Sequence, residues 1–131
     1  MAETFTKAER LCSQKLIDQL FAGGNASIAA FPLRAIYRLS ERKEGDVVPI
    51  SVLISVPKKR LRRAVDRNRM KRQIREAYRR NKQSLWERLE ADGKRMEIAF
   101  VCISDELCES SRVTTCMQKI LHRIEEALTT V

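Results

Sequence analysis

Residues Lys58 to Lys82 read KKRLRRAVDRNRMKRQIREAYRRNK, and this stretch decides how the chain is built. Of the 26 Lys and Arg residues in the chain, 13 lie here, together with only two of the 17 acids, Asp66 and Glu76. The remainder of the chain is slightly acidic, so the net charge of +9 arises wholly from this stretch. Charge concentrated in this way predicts a polyanionic partner.

This stretch also has the periodicity of an amphipathic helix. Its apolar side chains recur at helical spacing and form one stripe: Met70, Ile74, Ala77 and Tyr78. Basic side chains form a row beside the stripe: Arg67, Lys71, Arg75 and Arg79. Asn68 and Arg72 continue the polar surface away from the stripe. Because Pro57 disfavours helix just before it, we predict that the helix begins between Arg62 and Val65.

Two other interpretations of this helix are weaker. A solvated helix without a partner mixes both signs of charge, whereas only Asp66 and Glu76 relieve the repulsion here. A helix lying on anionic lipid needs a broad apolar face, and this stripe is modest and lacks Trp and Phe. We therefore expect a nucleic-acid partner and no membrane.

The composition is that of one globular domain spanning residues 1–131. Hydrophobic residues make up 44% of the chain, and no repeat or low-complexity tract is present. The N-terminus lacks an apolar run of signal-peptide length, which predicts a cytoplasmic protein. The cysteines lack Cys-x-x-Cys spacing, so we expect reduced thiols in place of a zinc site that would also use His122. They are Cys12, Cys102, Cys108 and Cys116.

The other elements follow from periodicity and turn residues. Ser13 is expected to cap a first helix that ends before Gly23, and Ser110 or Ser111 to cap the last helix. Strands are predicted at residues 31–39, 50–56 and 96–103. Residues 81–89 either extend the basic helix or form a separate one. The order α-β-β-α-β-α predicts an α/β sandwich of the α+β kind, with one small mixed sheet packed by helices.

Phe21 and Tyr37 are aromatic residues with two possible roles. Phe21 shares a helical face with Ile17, one turn earlier, and Tyr37 shares a strand face with Leu33. Either both pack in the core or they line one groove that stacks unpaired nucleotides. No catalytic constellation or paired metal ligands can be read from the sequence, and His122 stands alone in a helix. The sequence thus indicates a nucleic-acid binder without a protein active site.

The central motif resembles that of a known family. Residues 64–76 read AVDRNRMKRQIRE, with an Arg-Asn-Arg core, a Lys-Arg pair and a following Arg-Glu. This is similar to the signature of the protein subunit of bacterial ribonuclease P. The preceding ISVPKK at residues 54–59 matches the same family, as does Arg10-Leu11 followed by a helix that ends in Phe21. The resemblance covers nearly the whole chain.

The resemblance implies a fold, a reaction and two RNA partners. The fold is ribonuclease P protein-like, of the ribosomal S5 domain 2-like kind. The enzyme removes the 5′ leader of precursor tRNA, and its RNA subunit performs the phosphodiester hydrolysis with bound Mg²⁺. The protein is expected to bind no cofactor alone, to supply no catalytic residue, and to act as a monomer in a one-to-one complex with the RNA subunit.

Motif positions imply which residues make these contacts. Contact with the RNA subunit is implied for the basic helix and the lysines before it: Arg67, Asn68, Arg69, Lys71, Arg72, Arg75, Lys58 and Lys59. Contact with the single-stranded leader is implied for the first helix and the strand that follows: Ile17, Phe21 and Tyr37. Ile17 stands where the family often has an aromatic residue, so one stacking face is missing.

Two other classes of protein share part of this pattern. A non-enzymatic RNA-binding module, such as a ribosomal protein, would share the basic helix but need no aromatic cleft. A DNA-binding helix protein would need side chains that read base edges in place of a uniform arginine ridge. Reconstitution with the cognate RNA subunit and precursor tRNA at low Mg²⁺ would discriminate among the three.

Overall fold

A computed structural model describes residues 7–11, 13–46 and 48–129 of the chain. Within these residues a 3₁₀ turn at Lys7–Glu9 precedes four α-helices and four strands. In chain order they are α1 (Gln14–Phe21), β1 (Ala26–Ala30), β2 (Leu33–Glu41), β3 (Ile50–Ser55), α2 (Ala64–Asn81), α3 (Gln83–Asp92), β4 (Lys94–Cys102) and α4 (Ser110–Thr129). The basic helix α2 begins inside the predicted interval. No helix in the described part of the chain combines the length and apolar character needed to cross a bilayer.

The strands form one mixed sheet in the order β1-β2-β4-β3. The β1–β2 and β2–β4 pairs are antiparallel, and β3 pairs in parallel with β4. Parallel neighbours require a crossover connection, which α2 and α3 supply here. The predicted α+β sandwich, one small mixed sheet packed by helices, is confirmed.

The strand β1 is absent from the predicted order α-β-β-α-β-α. Its sequence, ASIAA, contains a single β-branched residue, so its intrinsic strand propensity is low. Pairing with β2, from Ala26 opposite Tyr37 to Ala30 opposite Leu33, stabilises it nonetheless. Phe31 consequently lies in the turn between β1 and β2, which corrects the predicted strand at 31–39.

The helices needed smaller corrections. Residues 83–92 form α3, a helix separate from α2, which resolves the alternative left open by the sequence. α4 already includes Ser110 and Ser111, so neither precedes the helix as a cap. The N–H groups of Arg112 and Val113 instead donate to the carbonyl oxygen of Glu109, at 3.1 and 3.2 Å.

The larger core lies between the sheet and helices α2, α3 and α4. Alternate residues of the strands point to this face, and Ile50, Ile98 and Phe100 are each fully buried there. All four residues of the predicted α2 stripe are buried, and the Tyr78 ring packs against that of Phe100 with centroids 5.8 Å apart. The core therefore uses the apolar face of α2 and leaves its cationic face outside.

A smaller core lies on the opposite face of the sheet, beneath α1. Leu20 of α1 is fully buried with Leu11 and Ala99. The half-buried residues around this cluster are Leu16, Ile17, Ile36 and Leu53. Ser13 caps α1 as predicted, because its hydroxyl accepts a hydrogen bond from the N–H of Leu16 at 3.4 Å.

A buried ion pair joins the N-terminal segment to the end of α2. The Lys82 ammonium donates to the Glu9 carboxylate, and the side chains are 2% and 1% exposed. The ammonium also lies 4.7 Å from the centroid of the Trp86 ring. Lys82 belongs to the basic stretch by sequence, yet its charge is enclosed in the protein and is not available to a polyanion.

Candidate nucleic-acid interface

Helix α2 presents most of the predicted RNA-binding side chains to solvent. The exposed ones on the helix are Asn68, Arg69, Arg72 and Arg75, and Lys71 is half-buried beside them. We call these five residues the α2 ridge. Lys58 and Lys59 are also exposed, in the turn that leads into the helix. Arginine presents a planar fork of donors that matches phosphate oxygens, so the ridge is suited to a nucleic-acid backbone.

Arg67 is committed to the protein itself. Its Nη1 donates to the carbonyl oxygens of Leu61 and Arg62, at 3.0 and 2.7 Å. These bonds fasten the turn after Pro57 to the first turn of α2. Of the predicted RNA contacts, Arg67 is thus the one whose guanidinium has a structural role in positioning the others.

Two further arginines of α2 share one acidic neighbour. Glu76 accepts hydrogen bonds from Arg79 at i+3 and from Arg80 at i+4, at 2.5 and 2.9 Å. The bond from Arg79, together with that from Arg80 and the charge of both guanidinium groups, lowers the pKa of Glu76 from 4.5 to about 2. Glu76 is therefore ionised throughout the physiological range and cannot act as a proton donor there.

The positive surface of the α2 ridge extends across a groove at the β3 edge of the sheet to Arg10. Arg10 forms a parallel bridge with Val52, and the N–H of Leu11 donates to the Val52 carbonyl at 2.9 Å. Lys71 and Arg75 line the same groove from α2. Arg10 was not among the residues predicted to bind RNA. A basic residue just before the first helix was its only signal in the sequence.

Helix α1 presents one exposed aromatic ring, that of Phe21. The residue is 46% exposed, whereas Ile17, one turn earlier, is half-buried. After the helix, Gly23 adopts φ 96°, and Asn25 Nδ2 donates to carbonyl oxygens of the last helical turn at 2.9 and 3.0 Å. The helix end is therefore well fixed, and Phe21 is a surface residue rather than a core residue.

Tyr37 does not share a groove with Phe21, contrary to the prediction. Tyr37 pairs with Ile98 across β2 and β4 and packs against the larger core, whereas its neighbour Ile36 packs beneath α1. Successive strand residues point to opposite faces of a sheet, so Tyr37 and α1 lie on different sides. The structure therefore brings Ile17 and Phe21 together and separates Tyr37 from them.

The residues of β2 that do share a face with α1 are Arg34, Ile36 and Arg38. The Arg38 guanidinium donates to the Gln19 side chain of α1, and the exposed Arg34 donates to Ser27 at 3.5 Å. The alternation of side chains along a strand predicts from the sequence that Arg34, Ile36 and Arg38 share one face of β2. What the sequence lacks is a signal for which face α1 covers, and the aromatic character of Tyr37 favoured the wrong one.

The described residues contain no arrangement typical of a protein catalytic centre. His122 is exposed and pairs with Glu126 at 2.9 Å. Burial raises the pKa of the Cys102 and Cys116 thiols, which makes them poor nucleophiles near neutral pH. Cys12 lies outside the described residues. Among those described, no group of three His, Cys, Asp or Glu side chains is placed to hold a metal ion.

Comparison with known protein sequences identifies related chains. A family model for ribonuclease P matches residues 5–125. The chain is 46% identical over 119 residues to a ribonuclease P protein component of Porphyromonas gingivalis, covering 91% of this chain and 85% of that one. It is 36% identical over 103 residues to the protein of the same name from Chlorobium phaeobacteroides, covering 74% and 70% of the two chains.

Comparison with solved structures supports the same fold. The Staphylococcus aureus RNase P protein superimposes with a TM-score of 0.64 at 18% sequence identity, covering 91% of this chain and 97% of that one. A mutant of the S. aureus protein with defective mRNA degradation activity gives 0.62 at 16% identity, covering 91% and 90%. At these identities the likeness concerns the fold alone.

Proposed function

Because this chain belongs to the ribonuclease P protein family, we propose that it binds the RNA subunit through the α2 ridge and the 5′ leader of precursor tRNA at α1. Ribonuclease P is the endoribonuclease that matures the 5′ end of tRNA, and its protein component works with an RNA subunit. Family membership decides against the ribosomal-protein and DNA-binding alternatives. The two proposed contacts use different chemistry, charge at α2 and stacking at α1.

The α2 ridge supports binding of a folded RNA. Its exposed side chains project from a helix whose opposite stripe is fixed in the core, so their backbone is already ordered before RNA arrives. Folded RNA is recognised largely through its backbone and shape, which suits a row of guanidinium groups. Lys58 and Lys59 extend this positive surface, and Arg67 holds the turn that carries them.

The exposed ring of Phe21 is the observation that carries the proposed leader site. Phe21 is 46% exposed, at the end of a helix whose Leu20 is fully buried. A base stacked on such a ring contributes about 1–3 kcal/mol. Ile17 adds apolar contact one turn away, and the exposed Arg34 on the same side of the sheet is placed to neutralise a phosphate. Tyr37, on the other side, is not assigned to this site.

We assign the hydrolysis to the RNA subunit, with Mg²⁺ held mainly by that RNA. Bound Mg²⁺ would stabilise charge on the phosphoryl oxygens and activate the attacking water. The donor set of the protein fits this division, because no described group of three acidic, thiol or imidazole side chains is suited to a metal. Glu76 is held ionised by Arg79 and Arg80. The residues of this chain bind and orient RNA, and none is assigned a proton transfer.

We propose a complex of one protein monomer with one RNA subunit, in the cytoplasm. The α2 ridge lies on a single helix and needs no second copy of the chain to be complete. Cys102 and Cys116 are buried free thiols, which suits a reducing compartment.

The variant Phe21→Ala tests the leader site. We expect the reconstituted holoenzyme to bind precursor tRNA about 5–150-fold more weakly, as loss of one stacked base implies, while mature tRNA and the RNA subunit bind as before. The melting temperature should fall little, because the ring is half exposed. Leu39→Ala is the matched control, since Leu39 is 42% exposed and faces away from α1.

If Phe21→Ala weakened binding of precursor and mature tRNA equally and lowered the melting temperature strongly, Phe21 would have a packing role. That result would contradict the leader site. A second variant, Ile17→Phe, tests the same site by gain of function. It should add a stacking face beside Phe21 and tighten precursor binding by a few-fold.

A further inference from the structure

Helix α4 carries a row of cations separate from the α2 ridge. Arg112, Lys119 and Arg123 recur at helical spacing, and all three are exposed. Beside this row the Cys116 thiol lies 2.8 Å from the carbonyl oxygen of Ala30, so this side of α4 borders β1. The row runs about 16 Å along the helix axis, at roughly 1.5 Å per residue.

Phe31 extends this row with an exposed aromatic ring. It occupies the turn between β1 and β2 and is 54% exposed. The guanidinium carbon of Arg112 lies 4.9 Å from the ring centroid, in cation–π contact. An arginine resting on one face of a ring leaves the other face for a planar group, and the pair carries positive charge.

The groove from Phe31 to Arg123 is positively charged. The described side chains that line it include three cations and no carboxylate. The salt bridges found among described residues leave those three cations without an acidic partner. Glu106 and Glu109 line a neighbouring groove, which shares Phe31 and Arg112 with this one. The positive surface therefore extends from Phe31 along α4 in one direction only.

This surface lies on the β1 side of α4, whereas α2 packs against α4 and β3. α4 packs on β1 and β2 whereas α2 packs on β3, and the strand order places β1 and β3 at opposite edges of the sheet. The side chains of α4 that face α2 and α3 are different ones, such as Gln118, which donates to Asn81. The two surfaces therefore lie beside different edge strands of the sheet and consist of different side chains.

We infer that Phe31, Arg112, Lys119 and Arg123 form a second RNA-binding surface, which stacks one unpaired base on Phe31 and binds the adjoining phosphates along α4. The charge selects a polyanion, and the exposed ring selects one whose units have π faces. An acidic protein segment or an RNA duplex would use the cations and leave the ring unused. The inference rests on the place of the chain in an RNA complex and does not depend on the leader site at Phe21.

Two variants separate charge from stacking. Lys119→Gln removes one cation of the row, and Phe31→Leu removes the ring while keeping an apolar side chain. Lys43→Gln is the matched control, because it removes the same charge from an exposed lysine between β2 and β3. Each full-length variant is titrated with the transcribed RNA subunit alone, and each reconstituted holoenzyme is titrated with precursor tRNA, both over a range of salt concentrations.

In one of the two titrations, Lys119→Gln should weaken binding several-fold and reduce the slope of log affinity against log salt by about 0.7, as expected for one phosphate of a single strand. Phe31→Leu should weaken binding in the same titration without changing the slope, and Lys43→Gln should change neither. Loss with the RNA subunit alone identifies that RNA as the ligand. Loss only with precursor tRNA identifies the substrate.

Binding like the unmodified protein in both titrations, with melting temperatures retained, would overturn the inference. An effect of Lys119→Gln without an effect of Phe31→Leu would overturn it as well, because a charged surface that stacks no base is a different site. Since the Phe31 ring is more than half exposed, Phe31→Leu should fold normally, and its melting curve checks this directly.

Discussion

The helices α2 and α4 lie on the same face of the sheet. They differ widely in their total number of basic side chains, but only slightly in the number of basic side chains available to RNA. α2 carries seven Lys or Arg residues and α4 carries three. In α2, however, Arg79 and Arg80 bind Glu76, and Arg67 binds two backbone carbonyls. Four cations remain on α2, against the three of α4. The number of cationic side chains available to bind phosphate is therefore set by local hydrogen bonding, which a count along the sequence does not reveal.

The largest expected effect tests whether the last cation of the basic stretch is structural. Lys82→Met should lower the free energy of unfolding by about 3–5 kcal/mol, because it removes the ammonium that binds the buried carboxylate of Glu9. Thermal and urea unfolding measure this loss. The salt dependence of RNA binding by the folded fraction should not change, since Lys82 is 2% exposed.

The double variant Glu9→Gln/Lys82→Met is the control for that loss. It also removes the buried negative charge of Glu9 and should recover part of the stability. A Lys82→Met protein that melts like the unmodified chain but has a smaller salt slope would place Lys82 among the RNA contacts and contradict the comparison.

The next effect separates structure from charge at Arg67. Arg67→Lys keeps the positive charge but cannot reproduce the planar fork that reaches the carbonyls of Leu61 and Arg62. We expect a loss of about 1–2 kcal/mol in unfolding free energy, typical of hydrogen bonds from a charged donor, with the salt slope unchanged. A reduced salt slope with full stability would show that Arg67 acts on RNA and not on the turn.

A smaller effect tests the α2 ridge directly. Arg72→Ala should flatten the plot of log affinity against log salt by about 0.7–0.9 if Arg72 holds one phosphate. Arg80→Ala on the same helix is the matched control, because Arg80 is bound to Glu76 and should change the slope less. Equal slopes for Arg72→Ala and the unmodified protein, with the fold intact, would remove Arg72 from the contact set.

The smallest effect concerns Glu76, the carboxylate that two arginines of α2 share. Glu76→Gln releases Arg79 and Arg80, so RNA affinity should rise by less than about tenfold, while stability at pH 7 falls by about 0.2–1 kcal/mol. The pKa of Glu76 is lowered from 4.5 to about 2, so its stabilising contribution is complete above pH 4.5 and is lost as pH falls through 2. Acid titration of both proteins, followed by circular dichroism, should show that their difference in stability disappears as the pH falls through 2. A difference that grows on acidification would contradict the pairing.

Much of the fold could be predicted because its signals are local. Pro57, the stripe from Met70 to Tyr78 and the cap at Ser13 each act within a few residues, and those helices form as expected. The pairing of Glu9 with Lys82 spans 73 positions and has no local signal at all. β1 was missed for a related reason, since its strand conformation comes from pairing and not from its small residues.

The candidate site was predictable only in part. The strand β2 shows which part could not be predicted. The alternation of its residues correctly separated Tyr37 from Ile36. Which of the two faces α1 would cover depends on long-range packing, and the choice of Tyr37 for the groove failed there. On α2 the predicted contacts Asn68, Arg69, Arg72 and Arg75 are exposed, and their binding to RNA stays a prediction. The internal use of Arg67 required coordinates.

The position of β4 at the centre of the sheet has a consequence for how the protein is made. β4 is the last strand of the chain, yet both β2 and β3 pair with it, and α2 packs against α4, which is translated later still. A chain emerging from the ribosome therefore has the arginines of α2 outside the exit tunnel before β4 and α4 can cover the apolar stripe beneath them. Translation must pass Cys102 before the sheet closes, and only then does the basic stretch become an ordered surface. A chain that has not yet been translated through β4 therefore carries the basic stretch of an RNA-binding protein without the folded sheet that orders it.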